Sequence, residues 1–176
     1  MAISLATTAP PFDLPGVDGA RHTLGGYAEA PVLAVVFSCN HCPYVLAWEG
    51  RLIELQREYG GRGFRLVAIN ANDAAAYPED SFPKMQEHAR DRGFNFDYLH
   101  DESQETARAY GAERTPEVFL FDRDRRLVYH GAIDDSREAD AVTARYLRDA
   151  IEAALAGEAP PAAETPPVGC TIKYRA

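Results

Sequence analysis

The chain has 176 residues, 46% of them apolar and 26% charged, which is enough for one well-packed domain. Its 18 basic and 27 acidic residues give a net charge of −9, which argues against binding to a nucleic-acid backbone. No apolar run approaches the ~20 residues that cross a bilayer, so a membrane is not an expected partner either.

The amino terminus, Met1–Pro11, contains no Lys or Arg and no sustained apolar stretch. A secretory leader needs both, so we expect a cytoplasmic protein. Three cysteines in a reducing compartment do not make a disulfide scaffold. They indicate redox chemistry, a metal site or inert core thiols.

The first half of the chain predicts a hairpin, a strand, a helix and a second strand. Residues 10–27 are rich in turn formers, and Asp18-Gly19 is a hairpin signal. The continuous apolar run Pro31–Phe37 predicts a strand that is buried on both faces. Apolar residues recur at helical spacing over 45–59 and stop at a glycine pair, and Phe64–Ile69 predicts the next buried strand.

The second half predicts three helices, a single strand and a β-hairpin. In chain order these are helix Ser81–Arg92 with Ser81 as its N-cap, strand Phe96–Leu99, helix Glu102–Tyr110, the hairpin of 118–121 with 127–130, and helix Arg137–Ala156. Strands that alternate with helices favour an α/β sandwich with a mixed sheet. We expect one domain over 1–157 and a C-terminal tail, 158–176, that packs on it through a loose connection at 158–167.

The segment Ser38-Cys39-Asn40-His41-Cys42-Pro43 places two cysteines where the first buried strand turns into a helix. We expect Cys39 on the first turn of that helix, where free N–H groups favour an anion and lower the thiol pKa below about 8.5. Cys42 is then the resolving thiol, and Pro43 is tolerated in a first turn. His41 and the neighbouring Asn40 would tune the pair, since a cation at His41 stabilises the thiolate and raises the reduction potential.

Other readings of the cysteine pair are weaker. A zinc site usually adds a second close pair of ligands, and the remaining histidines and Cys170 are scattered along the chain. Haem attachment needs a His directly after the second Cys, where Pro43 stands. Two inert core thiols are possible from CxxC alone, but the strand-to-helix position favours redox chemistry. We therefore expect no metal and no cofactor apart from the Cys39–Cys42 disulfide.

These features resemble the thioredoxin superfamily over about residues 10–156. A second match is the stretch from Arg114 to Phe121, because thioredoxin-like proteins carry a dipeptide like Thr115-Pro116 just before a hairpin strand. The resemblance implies that this bond is cis, that it faces the cysteines, and that its main-chain groups are free to pair with a substrate. It makes Arg114, Thr115 and Pro116 the substrate-facing loop.

The amino-terminal hairpin and the extra helix and strand between about 73 and 99 resemble the redoxin branch of this superfamily. Several short stretches resemble bacterial redoxin-domain proteins of the thiol–disulfide isomerase type: Ser38–Pro43, Asn70–Asp73, Tyr77–Asp80, Asp101–Gln104 and Gly169–Tyr174. The implied fold is a thioredoxin-like three-layer α/β/α sandwich with a mixed central sheet, an N-terminal hairpin extension and an extra αβ insert. The implied activity is thiol–disulfide exchange, with protein disulfides or dithiols, or a thiol reductase, as partners.

The sequence departs from the family pattern at the proton acceptor. The buried acid that thioredoxins carry six residues before the first Cys is Leu33 here. Asp73 or Glu49 could take its place, although a solvated loop or helix face is the more usual position for such a residue. The residue just before the first Cys, usually aromatic, is Ser38, which makes the rim of the cleft more polar.

Two other functions stay open at this point. A peroxiredoxin carries Thr or Ser three residues before its peroxidatic Cys, and this chain has Val36 there, but Cys42 could still resolve a Cys39 sulfenic acid. A binding module that keeps the fold without turnover is the second alternative. Cys170 is either a third redox thiol or a free thiol packed by the tail.

Overall fold

The computed structural model describes residues 1–176, beginning with the hairpin that the Asp-Gly turn predicts. Strand β1 (Asp13–Pro15) pairs antiparallel with β2 (Arg21–Thr23), and Gly19 takes a φ of 85° in the turn between them. A residue with a side chain is strained at that φ. The local turn chemistry therefore explains the amino-terminal extension.

The remaining elements alternate between strands and helices until the final tail. In chain order they are β3 (Val32–Ser38), α1 (Pro43–Tyr59), β4 (Phe64–Asn70), α2 (Phe82–Arg92), β5 (Asp97–His100), α3 (Glu105–Tyr110), β6 (Arg114–Thr115), β7 (Glu117–Phe121), β8 (Leu127–Gly131), α4 (Tyr146–Leu155) and β9 (Cys170–Thr171).

Five of these strands form the central sheet, in the order β5-β4-β3-β7-β8. The pairs β5–β4 and β4–β3 are parallel, whereas β3–β7 and β7–β8 are antiparallel. The sheet is therefore mixed, and β3 lies at its centre. The carboxyl end of β3 is where the first cysteine follows.

Both faces of the sheet are buried, which explains the continuous apolar run of β3. Val32, Ala34 and Val36 pack toward α1, α2 and α4, while the alternate residues pack toward α3 and the amino-terminal segment. Side chains of a strand point to opposite faces in turn, so a strand between two layers must be apolar at every position. The three-layer sandwich, the hairpin extension and the αβ insert of α2 and β5 are thus confirmed. None of the helices has the length and apolar character required to cross a bilayer.

The prediction of a final helix from Arg137 is wrong, because α4 begins at Tyr146. The Arg51 guanidinium donates to the carbonyl oxygens of Ser136 and Arg137, at 2.7 and 2.6 Å. The Thr143 N–H donates to Asp135 Oδ1 at 2.8 Å. Because these backbone groups are bound to side chains, residues 137–145 form a loop with one short 3-10 turn.

Helix α3 also begins later than predicted, at Glu105 and not Glu102. The Asp101 carboxylate accepts the N–H groups of Thr106 and Ala107, at 3.4 and 2.8 Å. It therefore binds first-turn donors that would otherwise lack a partner, and residues 102–104 are the turn that brings it there.

The connection at 158–167 is fixed to the sheet edge rather than loose. The His130 N–H donates to the Ala163 carbonyl and the Thr165 N–H donates to the His130 carbonyl, both at 3.0 Å. The Thr165 hydroxyl also accepts the Ala132 N–H at 3.0 Å. These contacts lead the tail along β8 and on to β9, which pairs with β6.

Candidate active site

The two cysteines lie between the carboxyl end of β3 and the start of α1. Cys42 is the N-cap of α1, Pro43 is its first residue, and the Cys42 carbonyl accepts the Leu46 N–H at 3.0 Å. Cys39 therefore precedes the helix, and the expectation that it lies on the first turn is wrong. Cys42 is the cysteine at the helix N-terminus. The first helical position after the cap readily accepts a proline, and Pro43 occupies it.

Both thiols are buried and both contact Thr115. Cys39 is 2% exposed and Cys42 is 1% exposed, and neither is in a disulfide. The Cys39 Sγ lies 3.5 Å from the Thr115 hydroxyl, and the Cys42 thiol donates to the Thr115 carbonyl oxygen at 3.6 Å. The Thr115–Pro116 peptide bond is cis. The structure thus brings the CxxC pair and the Thr-Pro loop together.

The neighbouring thiols shift each other's pKa values in opposite directions. A hydrogen bond to Cys42, together with burial and the charge of Asp80, raises the pKa of Cys39. A hydrogen bond from Cys39, with further donors at Val45 and Cys170, lowers the pKa of Cys42. The expectation of a lowered Cys39 pKa therefore does not hold, because Cys42 is at the helix cap and Cys39 faces a carboxylate.

That carboxylate, Asp80, is a site residue that the sequence analysis missed. It is fully buried, and it accepts the Asn40 N–H at 2.8 Å and the amides of Asn70 and Asn72 at 3.1 and 3.0 Å. A buried charge is tolerated when several donors satisfy it. The signal available in the sequence was the stretch Tyr77–Asp80, which carried the family resemblance but was not assigned a role.

His41 faces Asp80 rather than a thiol alone. Its Nδ1 lies 2.8 Å from Asp80 Oδ2 without the alignment of a hydrogen bond. Its Nε2 is 3.8 Å from Glu79, and the ring stacks on Tyr77 with centroids 6.5 Å apart. The histidine therefore reaches Cys39 mainly through its influence on Asp80.

The residues expected to replace the thioredoxin acid have other partners. Glu49 is buried and lies 2.7 Å from His88, on the side of α1 that faces α2. Asp73 accepts the Ala75 N–H and lies 3.8 Å from Arg175. Leu33 is an ordinary residue of the sheet core. The acid nearest the thiols is therefore Asp80, which follows β4 instead of lying on β3.

A buried glutamate, Glu117, holds the Thr-Pro loop in place. Its Oε2 accepts the N–H groups of Glu113 and Arg114, at 2.7 and 2.8 Å, and its Oε1 is 2.7 Å from His130 Nε2. The Arg114 side chain is exposed and donates to the Gly169 carbonyl at 3.3 Å. Glu117 thus positions the loop without contacting a thiol.

The main-chain groups beside Pro116 are not free, contrary to expectation. Strand β9 of the tail pairs antiparallel with β6, with Thr115 opposite Cys170 and Arg114 opposite Thr171. Cys170 packs against the cluster of Cys39, Cys42 and Val45. The chain's own tail therefore occupies the edge that an extended substrate would use.

Beside the cysteine pair, a metal could be held by Cys39, His41 and Asp80, whose ligand atoms lie within 4.8 Å of one another. Both Asp80 oxygens already accept amide donors, so the carboxylate is committed to the protein. Only three groups converge, and a structural zinc site needs four. The three side chains are therefore better suited to a redox thiol beside a buried carboxylate than to a metal site.

The redoxin family matches residues 5–146. This chain belongs to the redoxin family. The match spans the hairpin, both cysteines, Asp80 and the Thr-Pro loop, and it ends before β9. Membership of this family makes the protein an oxidoreductase whose chemistry is either thiol–disulfide exchange or peroxide reduction.

Two solved structures share the fold over nearly the whole chain. A hypothetical protein from Sinorhizobium meliloti 1021 is 42% identical, with a TM-score of 0.94, covering 100% of this chain and 97% of its own. An uncharacterized conserved protein from Geobacillus kaustophilus is also 42% identical, with a TM-score of 0.93 and coverage of 98% and 93%. Peroxidoxin BcpB from Mycobacterium tuberculosis shares the fold at 19% identity, with a TM-score of 0.67 and coverage of 88% and 97%. The comparison with curated proteins finds no match.

Proposed function

We propose that this redoxin is a thiol–disulfide oxidoreductase that cycles Cys39 and Cys42 between a dithiol and a disulfide. The observation that carries the proposal is the convergence of both thiols on Thr115, beside the cis peptide bond of Pro116. The lowered pKa of Cys42 and the raised pKa of Cys39 favour a state in which Cys42 ionises and Cys39 keeps its proton, which is the starting state for exchange.

The first step is attack by Cys39 on a substrate disulfide. Cys42, whose pKa is the lower of the two, loses its proton to solvent and then accepts the Cys39 proton while the Cys39 sulfur bonds to one substrate sulfur. The substrate S–S bond breaks, and its second sulfur leaves as a thiolate that takes the proton from Cys42. The products are a mixed disulfide at Cys39 and one free substrate thiol.

The second step is resolution by Cys42. Its regenerated thiolate attacks the Cys39 sulfur, the mixed disulfide breaks, and the remaining substrate sulfur leaves and is protonated from solvent. The substrate has gained two electrons and two protons, and the protein has lost two electrons by forming the Cys39–Cys42 disulfide. Isomerisation uses the same mixed disulfide when a second substrate thiol attacks it before Cys42 does.

The burial of both thiols favours a small substrate, or an extended peptide that displaces β9. Both sulfurs are almost completely covered, and Tyr44 and Cys170 pack over their cluster. A small thiol or disulfide can reach Cys39 through a local opening, whereas a folded protein needs the tail to move. The proposal includes small thiols or disulfides and protein substrates as partners, in a reducing cytoplasm.

Peroxide reduction is the second candidate, and one contact favours it. The Thr115 hydroxyl, 3.5 Å from Cys39 Sγ, supplies a hydrogen-bonding group that Val36 lacks. Peroxide is small enough to reach a buried sulfur, and Cys42 would then resolve the sulfenic acid with loss of water.

Turnover with separate substrates tests the proposal. We expect the dithiothreitol-driven reduction of a small aromatic disulfide to be lost in Cys39→Ser and Cys42→Ser, and kept in Gly50→Ala, which changes an exposed helical position with open space around it. Hydrogen peroxide consumption, measured with the same reductant, should be much slower. Peroxide turnover without disulfide turnover would replace the first candidate with the second.

A further inference from the structure

The tail brings a third thiol to the cysteine pair. Cys170 lies directly opposite Thr115 in the β6–β9 pairing, and Thr115 is the residue that touches both Cys39 and Cys42. Cys170 also packs against the cluster that contains both sulfurs. Three thiols therefore meet around one residue, although more than 120 residues of chain separate Cys42 from Cys170.

The residue before Cys170 is shaped for this close approach. A Cβ at Gly169 would collide with the Thr115 carbonyl oxygen and lie 3.1 Å from the Pro116 nitrogen. Only glycine allows the tail backbone so near the Thr-Pro peptide. The position of Cys170 is thus set by backbone contact with the active-site loop.

The residues after Cys170 hold the tail on the same side. The Ile172 N–H donates to the Glu113 carbonyl at 2.9 Å, and the Ile172 side chain belongs to the core. The Lys173 N–H donates to Asn72 Oδ1 at 2.8 Å, and Asn72 is also a donor to Asp80. The tail is therefore tied to the active-site network on both sides of β9.

We propose that Cys170 is a third redox thiol, which exchanges with Cys42 and moves the disulfide from Cys39–Cys42 to Cys42–Cys170. The proposal rests on the redox function inferred for Cys39 and Cys42. The Cys170 thiolate attacks the Cys42 sulfur, the Cys39–Cys42 bond breaks, and the Cys42–Cys170 bond forms. Cys39 leaves as a thiolate and takes up the proton that Cys170 released, so no external oxidant or reductant is consumed.

The transfer has a direction that exposure explains. Cys170 is half-buried, whereas the other two thiols are covered. After the transfer Cys39 is again a thiol, and the disulfide includes a sulfur at the surface. A dithiol protein or a small thiol can then reduce the chain by attacking Cys170.

The protonation of the dithiol state is consistent with this order. Burial and the neighbouring Cys42 sulfur raise the pKa of Cys170, and the charges of Lys173 and Arg114 act in the opposite direction. Once Cys42 is in a disulfide it carries no negative charge, and one cause of the raised pKa is gone. Cys170 therefore becomes a better nucleophile when there is a disulfide for it to attack.

Disulfide mapping of the wild-type chain tests the proposal. The protein is equilibrated in glutathione buffers, quenched with acid, alkylated with N-ethylmaleimide and digested with trypsin. Cleavage at Arg21, Arg51, Arg148 and Lys173 puts both active-site cysteines on residues 22–51 and Cys170 on 149–173. A Cys39–Cys42 bond thus stays within one peptide, whereas a Cys42–Cys170 bond joins two.

We expect two oxidised species. In one, a Cys42–Cys170 disulfide joins the two peptides and Cys39 is alkylated; in the other, the Cys39–Cys42 disulfide lies within one peptide. If the joined Cys42–Cys170 peptides are missing from every sample that contains the Cys39–Cys42 disulfide, or if Cys170 is joined to Cys39 instead, the transfer is overturned and the proposed function stands. Absence of the Cys39–Cys42 bond at all potentials would overturn the proposed function itself. In the variants, the joined peptides should form in Cys39→Ser and be lost in Cys42→Ser, with circular dichroism showing that both are folded.

Discussion

On one side of the cysteine pair, Asp80 collects amide donors from Asn40, Asn70 and Asn72 and presents a negative charge to Cys39. We call Asp80, Asn70, Asn72 and His41 the acidic flank. On the other side lie Thr115, Glu117, Gly169 and Cys170, the tail flank, which is held by backbone pairing and a third thiol. We expect the acidic flank to control the protonation of Cys39 and the tail flank to control access to it.

Asn72, a member of the acidic flank, connects it to the tail that carries Gly169 and Cys170. Its amide donates to Asp80 Oδ2 at 3.0 Å, and its carbonyl oxygen accepts the Lys173 N–H at 2.8 Å. Displacement of the tail therefore removes a partner from the residue that helps to satisfy Asp80. Substitutions in the acidic flank should change the pKa of Cys39, whereas substitutions in the tail flank should change how readily substrates and alkylating reagents reach the thiols.

The largest effect is expected for Asp80→Asn on the acidic flank. The amide nitrogen of the new side chain would face N–H donors that now bind a carboxylate oxygen. The free energy of unfolding, measured by urea titration, should therefore fall by about 2–4 kcal/mol. Because the Asp80 charge raises the pKa of Cys39, that pKa should fall in the variant. Thiolate absorbance against pH, read in a Cys42→Ser background, measures the shift.

The matched control for this variant is Glu79→Gln, since Glu79 is the exposed neighbouring acid. A surface charge contributes little, so stability should change by less than about 0.5 kcal/mol. An unchanged Cys39 pKa in Asp80→Asn would show that the acidic flank does not control protonation.

The next effect belongs to Glu117 on the tail flank. Glu117→Ala leaves two loop N–H groups without a buried acceptor and should cost about 2–3 kcal/mol of stability. Since Glu117 positions Thr115 without touching a thiol, kcat/KM for the disulfide should fall while the thiol pKa values stay in place. Glu117→Gln, which keeps one acceptor oxygen, should recover part of kcat/KM.

Gly169→Ala should open the tail flank at a smaller cost. The added methyl group meets the Thr115 carbonyl, and overpacking of this kind costs about 1–3 kcal/mol. Because β9 can no longer pair closely, Cys39 and Cys42 should react faster with N-ethylmaleimide. Gly50→Ala is the control and should gain up to about 1 kcal/mol from helix propensity without a change in alkylation. Equal alkylation rates in both variants would rule out the tail as the cover.

The smallest effect concerns pH, through His100 on the edge of the acidic flank. Burial lowers its pKa, and its Nε2 has no hydrogen-bond partner. Below about pH 6.5 the unfolded chain binds a proton at this residue that the folded chain does not, so stability should fall as the pH is lowered through that value. Urea titrations of wild type and His100→Gln should show a weaker acid dependence in the variant.

Elements with a complete local signal could be predicted from the sequence. Each of these signals lies within or directly beside the element that it predicts: the apolar runs of β3 and β4, the glycine pair that ends α1, and the Ser81 cap of α2. The false helix start at Arg137 has the opposite origin. The Arg137 carbonyl oxygen accepts a hydrogen bond from Arg51 of α1, and no sequence pattern within 137–145 predicts that contact.

The same distinction applies to the site. Cys39, Cys42 and the Thr115–Pro116 loop are recognisable because each is a local motif. Asp80 acts only because the chain after β4 returns to Cys39, so Asp73 and Glu49 were equally plausible candidates for the acid. The pairing of Cys170 with Thr115 depends on a tail route that composition does not encode, which is why the sequence left both of its possible roles open.

The most direct measurement of the central claim is a glutathione redox titration of the Cys170→Ser chain, which isolates the Cys39–Cys42 pair from the third thiol. We predict a single two-electron transition in which both remaining cysteines become protected from alkylation together and form one intramolecular bond. If both stay open to alkylation under oxidising glutathione, or only one is protected as a glutathione adduct, then Cys39 and Cys42 are not a redox couple.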